Sequence, residues 1–577
     1  MAACAGGGNV CPQTPNAVAP STSTPTATPT PTSNAPPAST PTLSLLLRPL
    51  AGDHAPFVHV ELDFTAIPSP LGAVTIRRAP AARVQQATAK DAQGDLTVTA
   101  KPSGDGVELA FDREPHGSLH LAYDVLSGDP DDPLGLWVQD DRFRGAGEML
   151  VALPSSVEDT PMPFLLRIDG GPLRLPVAAS SLGVGAVKKT TLAPRALRYV
   201  SFLAGSVGAM VIDDPAMGHD EGAWLGYTAF DPRPVVAEIA QTRSAMNDSL
   251  RSHAEMSWTY LFLSQTRPIG SFTTTPRSGS VLVQVGPSEP WSAALKLSVA
   301  QQLARFWIGG ETRVGSSPNN EGDAWWFSEG VARWFATKVL AHAGLIGPDD
   351  VRDAIAGELS VLATSPFAKS DNTNLGHLAM KSDVARATMM ARGALYAAVE
   401  STTLRARTKG QVGLETILAT FVERSEDDKQ RGFTPAQWLD ALAKYDPSAG
   451  SRFNAFIMQG APIELPPGAL GPCFRAGTGE YVAYDPGFDV EATQTSSDAR
   501  VVGVREGGPA AKAGLQNGSV VESMTMRDGD VDVPVKLVVG FAGAHMSIAY
   551  APKGARGRGQ TWTRVRGIAD ERCGDTL

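Results

Sequence analysis

The chain has 577 residues, 42% of them hydrophobic and 19% charged, which is the balance of a folded protein long enough for roughly three or four domains. Its formal net charge of −10 argues against nucleic acid as a main partner, because phosphate binding wants a basic surface. No apolar stretch reaches the length that crosses a bilayer, and the short basic run of Lys553, Arg556, Arg558, Arg564 and Arg566 reads as a solvated hairpin.

The start of the chain, Met1-Ala2-Ala3-Cys4-Ala5-Gly6, reads like the cleavage region of a bacterial lipoprotein precursor, with small residues ahead of a cysteine. A Thr/Pro/Ser/Ala tract follows, from about Pro12 to Pro41. Such a tract cannot bury a core, and its prolines keep it extended. Residues 1–42 are therefore expected to be a disordered tether. On this reading a signal peptide precedes the sequence, Cys4 is the first mature residue and carries a lipid, and the protein sits in the bacterial cell envelope, periplasmic or surface-exposed. The alternative is a disordered cytosolic tail with an incidental cysteine. The four cysteines are Cys4, Cys11, Cys473 and Cys573. In an oxidising compartment the last two can pair and staple the tail to the start of the C-terminal region; otherwise they are two unrelated buried thiols.

Residues 43–190 read as a β-sandwich. Phe57-Val58-His59-Val60-Glu61-Leu62-Asp63-Phe64 alternates apolar and polar side chains as a half-buried strand does, and Gly, Pro and Asp clusters such as 128–133 punctuate the strands. From 191 the texture is mixed, with a strand at Ser280–Val285. Two helices follow. The first starts at Ser292, a good N-cap, buries the face of Leu295, Val299, Leu303 and Phe306, and ends before Gly309. The second runs from about Trp325 to His342 and stops before Gly344. Residues 346–470 look helical, with a cap-and-proline start at Thr434-Pro435. From 471 the pattern changes again. A strand Val501–Val504, a glycine-rich turn, a short helix ended by Gly514 and a strand from Ser519 outline a PDZ domain over 471–577. Its candidate carboxylate-binding loop is Asp485-Pro486-Gly487-Phe488-Asp489, with Pro486, Gly487, Phe488 and Asp489 as the peptide-binding residues, where the loop's backbone N–H groups would receive a peptide end while the peptide adds a strand to the sheet.

Zinc peptidases place His-Glu-x-x-His on a helix: the i,i+4 histidines are ligands on one face, the Glu polarises a bound water, and a later helix adds a third ligand. Here Gln301-Gln302-Leu303-Ala304-Arg305-Phe306-Trp307 lies on the first helix, Trp325-Trp326-Phe327-Ser328-Glu329-Gly330 opens the second, and Met390-Ala391-Arg392-Gly393-Ala394-Leu395 opens a third. With the β-rich start and the PDZ-like end, these segments resemble the glycyl aminopeptidase family of PDZ-containing metallopeptidases, within the thermolysin-like gluzincins. The resemblance covers most of the chain after residue 43. It implies a multidomain α+β fold: the β-sandwich, a thermolysin-like domain over 191–345, a helical subdomain over 346–470, and the PDZ domain with its disulfide-linked tail.

The resemblance places Gln301 and Arg305 on the two histidine ligands, Gln302 on the catalytic Glu, Glu329 on the third ligand, and Met390 on a Tyr that steadies the tetrahedral intermediate. Thr273-Thr274-Thr275-Pro276-Arg277 falls on the strand that recognises the substrate amine, without its acid. A Gln amide is a poor zinc ligand and an Arg repels the metal. Gln302 has no useful basicity, and a Met donates nothing to an oxyanion. The expectation is therefore no metal, no cofactor and no catalytic residue. His116 and His120 are four apart in a turn-and-strand segment, which separates the rings; surface or strand packing explains them. Arg305 is expected to pair with Glu329 where the metal would lie; the competing partner of Glu329 is Arg333, one turn along its own helix. No Gly-x-Ser-x-Gly elbow or central cysteine offers another nucleophile. The function implied is a catalytically inactive envelope protein that binds peptides or proteins, or scaffolds them, through the former substrate cleft or the PDZ groove. The alternative is an active zinc metallo-aminopeptidase with non-standard ligands.

Overall fold

The computed structural model describes residues 42–573 apart from 53–54, 66–70, 105, 129–135, 155–158, 215–217, 228, 254–256, 278, 316–320, 497 and 542–543. The expected tether, Cys4, Cys11, and most of the 128–133 turn lie outside the described residues.

The N-terminal region is all β. Seven strands form one sheet in the order Val187–Leu192, Met162–Ile168, Leu43–Leu50, Phe57–Phe64, Leu119–Leu126, Val84–Asp91, Gly94–Leu96. The strand Phe57–Phe64 shows why: Val58, Val60, Leu62 and Phe64 are buried and their neighbours are not, the period-2 pattern of a sheet with one face on a core. A three-stranded and a five-stranded sheet share that core, which includes Leu47, Val60, Leu121, Phe143 and Phe202. The five-stranded sheet includes Ser201–Gly205, and Phe202 and Ala204 belong to the same core. The β-rich region therefore runs past residue 190, and the opposite face of the same strand, at Leu203, packs with Ala223, Leu225 and Leu261 of the next sheet.

The central sheet has five strands: β1 (Gly208–Asp214), β2 (Gly218–Leu225), β3 (Trp258–Ser264), β4 (Phe272–Arg277) and β5 (Ser280–Val285), in the order β1-β2-β3-β5-β4. β2, β3 and β5 run parallel, while β4 returns antiparallel beside β5 and ends the sheet as an edge. Helix α1 (Pro232–Leu250) connects β2 to β3, capped by Asp231, whose carboxylate accepts from the Arg233 N–H at 3.1 Å. Helix α2 (Ala293–Trp307) starts at Ser292, whose hydroxyl accepts from the Leu295 N–H at 3.3 Å, as its sequence anticipates.

A π-helical turn, Trp326–Val331, leads into α3 (Ala332–His342). The helical region continues with α4 (Pro348–Thr364), α5 (Asn372–Ala379), α6 (Asp383–Arg407), α7 (Leu414–Asp427) and α8 (Pro435–Ala443). Thr434 and Gln437 form a reciprocal capping box at the start of α8,. One correction concerns α6. It begins at Asp383, where Ser382 caps the Ala385 N–H, so Met390 lies about two turns inside this helix rather than at its start.

Two long strands, β6 (Phe474–Tyr484) and β7 (Lys553–Arg564), pair antiparallel and pack on α4 and the central core. Between them a three-stranded sheet (Val520–Thr525, Val535–Phe541, Ala544–Tyr550) and the short helices Val490–Thr495 and Pro509–Lys512 enclose a separate small core around Phe488, Leu515 and Leu537. The expected strand Val501–Val504 is not one. Val502 makes a single bridge to Asp489, Gly503 turns the chain at φ +70°, and the Val504 N–H is taken by the Asn517 side chain at 2.9 Å. Cys473 and Cys573 are joined by a disulfide with their Cα atoms 5.4 Å apart. Among the described residues no helix is long and apolar enough to cross a membrane.

Candidate functional site: a polar chain in the place of a metal

Gln301, Gln302 and Arg305 lie on the last turns of α2. The four-residue spacing of Gln301 and Arg305 puts both on one face, and the π turn brings Glu329 opposite them. A π turn inserts one extra residue into helical winding and re-aims the side chains beyond it. It is fixed here by crowding: a Cβ on Gly330 would lie 2.6 Å from the Gly393 Cα, and one on Gly393 would lie 1.8 Å from the Trp326 carbonyl oxygen. The glycines of the Ser-Glu-Gly and Arg-Gly-Ala-Leu segments are thus the contact point between the π turn and α6. Arg392 beside it is buried, donates to the carbonyls of Ala368, Ser370 and Ile457 at 3.1, 2.8 and 3.4 Å, and has its pKa pulled down to about 10 by that burial.

The residues meet as expected and in a longer series. An Arg305 terminal nitrogen lies 2.8 Å from the Glu329 carboxylate, and its other terminal nitrogen donates to the Gln302 amide oxygen at 3.0 Å. The Gln301 amide nitrogen donates to the same Glu329 carboxylate at 3.3 Å and reaches the Met390 sulfur at 3.2 Å. Arg333, the competing partner, turns away from Glu329: its Nε pairs with Glu358 of α4 and one terminal nitrogen donates to the Gln301 amide oxygen at 3.2 Å. On the other side Gln302 donates to Thr274 of β4 at 3.3 Å, and Thr274 meets the Ser298 hydroxyl at 2.6 Å. The chain Glu358–Arg333–Gln301–Glu329–Arg305–Gln302–Thr274 leaves no link open.

Sequence reasoning found Gln301, Gln302, Arg305, Glu329 and Met390, and the structure brings all five together. It missed Glu358, which closes the network. The signal was present: Val351, Ile355 and Leu359 mark the buried stripe of α4, and Glu358 stands on it with 5% exposure. A carboxylate on an apolar stripe needs a cation. Burial pushes the Glu329 carboxyl above the usual glutamate range, and Arg305 is the largest influence opposing it. The expected strand Thr273–Arg277 is β4, the edge of the sheet beside α2.

The predicted PDZ loop has its own geometry. The Gly487 N–H donates to the Asp485 carboxylate at 2.7 Å, the Asp489 N–H donates to the Val502 carbonyl at 2.9 Å, and the Pro486 carbonyl accepts from Tyr550. Phe488 is buried in the small core, and Asp485 pairs with Arg505. His120 bonds to Asp63 at 2.7 Å, and His116 lies in a turn with its N–H on Asp91. Among the described residues no three His, Cys, Asp or Glu side chains are grouped as a metal site requires.

No protein-family model matches the chain, and no curated protein does. In three dimensions it is similar to an aminopeptidase N family protein of Idiomarina loihiensis, at 12% identity and a TM-score of 0.65, over 93% of this chain and 100% of that one. It is also similar to an M1 zinc metallopeptidase of Deinococcus radiodurans, bound to a Tyr-Ser-Ala substrate, at 16% identity and a TM-score of 0.45, over 74% of this chain and 95% of that one. The first likeness spans nearly the whole chain and defines the fold class: a multidomain α+β frame of the aminopeptidase N type, the metallopeptidase frame expected from the sequence. Such a frame implies a zinc ion, and the side chains here do not fit one. Zinc takes imidazole, thiolate and carboxylate donors. The site residues expected from the sequence offer one carboxylate, paired with a guanidinium, and two amides engaged with other residues.

Proposed function

We propose that this chain is a catalytically inactive metallopeptidase homologue that binds or scaffolds peptides or proteins in the bacterial cell envelope, anchored through a lipid on Cys4. The observation that carries the reading is the Arg305–Glu329 ion pair at 2.8 Å. A permanent cation held by the one retained acidic position opposes a divalent metal more strongly than a missing ligand would. Gln302 cannot act as a general base, and its amide is engaged by Arg305 and Thr274.

The finer kinship we infer is with the PDZ-containing glycyl aminopeptidases, with the small core between β6 and β7 as a PDZ-like module. Of the two grooves, the former substrate cleft is the better binding site. Two of the loop amides that a peptide carboxylate would use in the module, those of Gly487 and Asp489, are committed to Asp485 and Val502, and the Asp485 charge faces the same loop. The Cys473–Cys573 disulfide suits an oxidising compartment,.

Metal analysis of protein purified from zinc-supplemented growth tests this directly. The expected result is zinc well below one equivalent and no peptide cleavage that a chelator abolishes. The intact mass of the same protein made in its native host reads the lipid on Cys4. Stoichiometric zinc with chelator-sensitive cleavage would overturn the proposal in favour of an active aminopeptidase with unusual ligands, and an unmodified Cys4 would remove the anchor.

A further inference from the structure

Beside the polar chain lies a cavity of about 420 Å³ between α2, the end of β4 and the π turn. Three guanidinium groups line it, those of Arg277, Arg305 and Arg313, against one carboxylate, Glu321. Phe306 and Trp325, both half-buried, supply apolar wall. The three arginines differ in what they have left to give. Arg305 spends its two terminal nitrogens on Glu329 and Gln302. Arg313 is exposed and, among the described residues, uses only its Nε, on the Gly310 carbonyl at 3.3 Å, so its terminal nitrogens have no partner there. The half-buried Arg277 side chain has no ion pair and no hydrogen bond among the described residues, and its Nε is buried without a partner. Glu148 acts on it only at a distance, and Arg78 opposes that influence. A buried guanidinium nitrogen without an acceptor is unfavourable. Its natural complement is a planar anion, which a guanidinium binds with two parallel hydrogen bonds.

Resting on the reading of this cleft as a peptide site, we propose that it recognises peptides by a carboxylate, held between Arg277 and Arg313, with an apolar side chain of the same peptide against Phe306 and Trp325. The charge preference is the reverse of a site that selects a free amine. The apolar wall argues for a peptide over a bare inorganic anion, and the shortage of acid in the cavity argues against a basic one.

The probe is the blocked peptide acetyl-Phe-Ala-Glu with a free C-terminus, titrated calorimetrically into the full chain. Its comparison is acetyl-Phe-Ala-Gln amide, which has the same size and no charge. The charged peptide is expected to bind at least tenfold more tightly, with affinity falling as salt rises. Arg277→Gln and, separately, Arg313→Gln are each expected to weaken it at least fivefold. Arg313 is exposed, so its variant keeps the fold, and melting curves of both variants are recorded alongside. Equal binding of the two peptides, or no binding of either, overturns the carboxylate proposal. Competition by inorganic phosphate at the affinity of the peptide also overturns it, by showing a general anion site. These outcomes leave the inactive-homologue reading standing. Zinc-dependent release of the first residue from the unblocked peptide Phe-Ala-Glu would instead remove that reading.

Discussion

At the scale of single residues, the position of Glu329 decides the chemistry. A carboxylate in that place is useful to a metal, and without one it is a buried charge that must be neutralised. Arg305 does so incompletely, since burial still holds the Glu329 carboxyl above its ordinary value of 4.5. The sign of the consequence is fixed. Between the ordinary value and the raised one, the folded chain binds more protons at this site than the unfolded chain, so the contribution of Glu329 to stability falls as pH rises through that window. Glu329→Gln removes the titration and keeps the shape. The melting temperature of the native protein is therefore expected to fall relative to that of the variant as pH is raised from 4 to 7. Thermal melts of both proteins at four or five pH values read it. Parallel curves, or a native protein that gains on the variant as pH rises, would mean that the ion pair with Arg305 outweighs burial.

At the scale of elements, the crossing of the π turn over α6 holds the site together. Gly393 is the tightest point, since a Cβ there would lie 1.8 Å from the Trp326 carbonyl oxygen, and backbone cannot yield as a side-chain tip can. Gly393→Ala is expected to lose about 3 kcal/mol or more, by forced overpacking. It also displaces the turn that carries Glu329. Gly357→Ala, on α4 with nothing within 4 Å of the new Cβ, is the matched control and is expected to gain up to about 1 kcal/mol from helix propensity. Chemical denaturation of the two variants checks both signs, and a near-neutral Gly393→Ala would refute the close-crossing account.

The same elements show what the sequence could and could not convey. Ser292, Thr434 and the strand Phe57–Phe64 were legible because caps and period-2 alternation are local. Gln301, Gln302 and Arg305 were legible through the resemblance to a zinc-peptidase helix, and their spacing then put Gln301 and Arg305 on one face. The start of α6 was misplaced because the Arg-Gly-Ala-Leu segment owes its pattern to a crossing in the middle of the helix, while the first turn after the true cap, Ser382, is Asp383-Val384-Ala385-Arg386, which carries no marked apolar stripe. Glu358 was missed because its partner Arg333 lies on a different helix, although its own place on the α4 stripe marked it as anomalous. The choice of Arg305 over Arg333 for Glu329 was set by Glu358, a residue no local rule connects to the site.

At the scale of the whole molecule, the end of the chain is organised by nesting. The sequence suggested a single domain over 471–577. The outer strands β6 and β7 instead belong to the main body: Phe474 and Trp562 join its core, Gly557 lies so close to α4 that a Cβ would be 1.9 Å from the Ala363 carbonyl oxygen, and the Cys473–Cys573 disulfide fastens their far ends. The residues between Tyr484 and Lys553 close a core of their own. Among the described residues they are linked by backbone to the main body where Arg527 and Asp528 meet Ile269 in the loop before β4, the Asp528 N–H donating at 2.9 Å. Because Tyr484 pairs with Lys553 across the strands, a two-residue Asn-Gly turn can replace everything between them without moving either strand. That variant is expected to melt within about 3 °C of the native main transition, since one backbone hydrogen bond contributes about 1 kcal/mol. Truncation after residue 470, which strips β6, β7 and the disulfide from α4, is expected to abolish cooperative melting. Calorimetry of the two shortened chains tells nesting from simple succession: if the internal deletion unfolds the body as completely as the truncation does, the inner module is part of the body's core and the nested division is wrong.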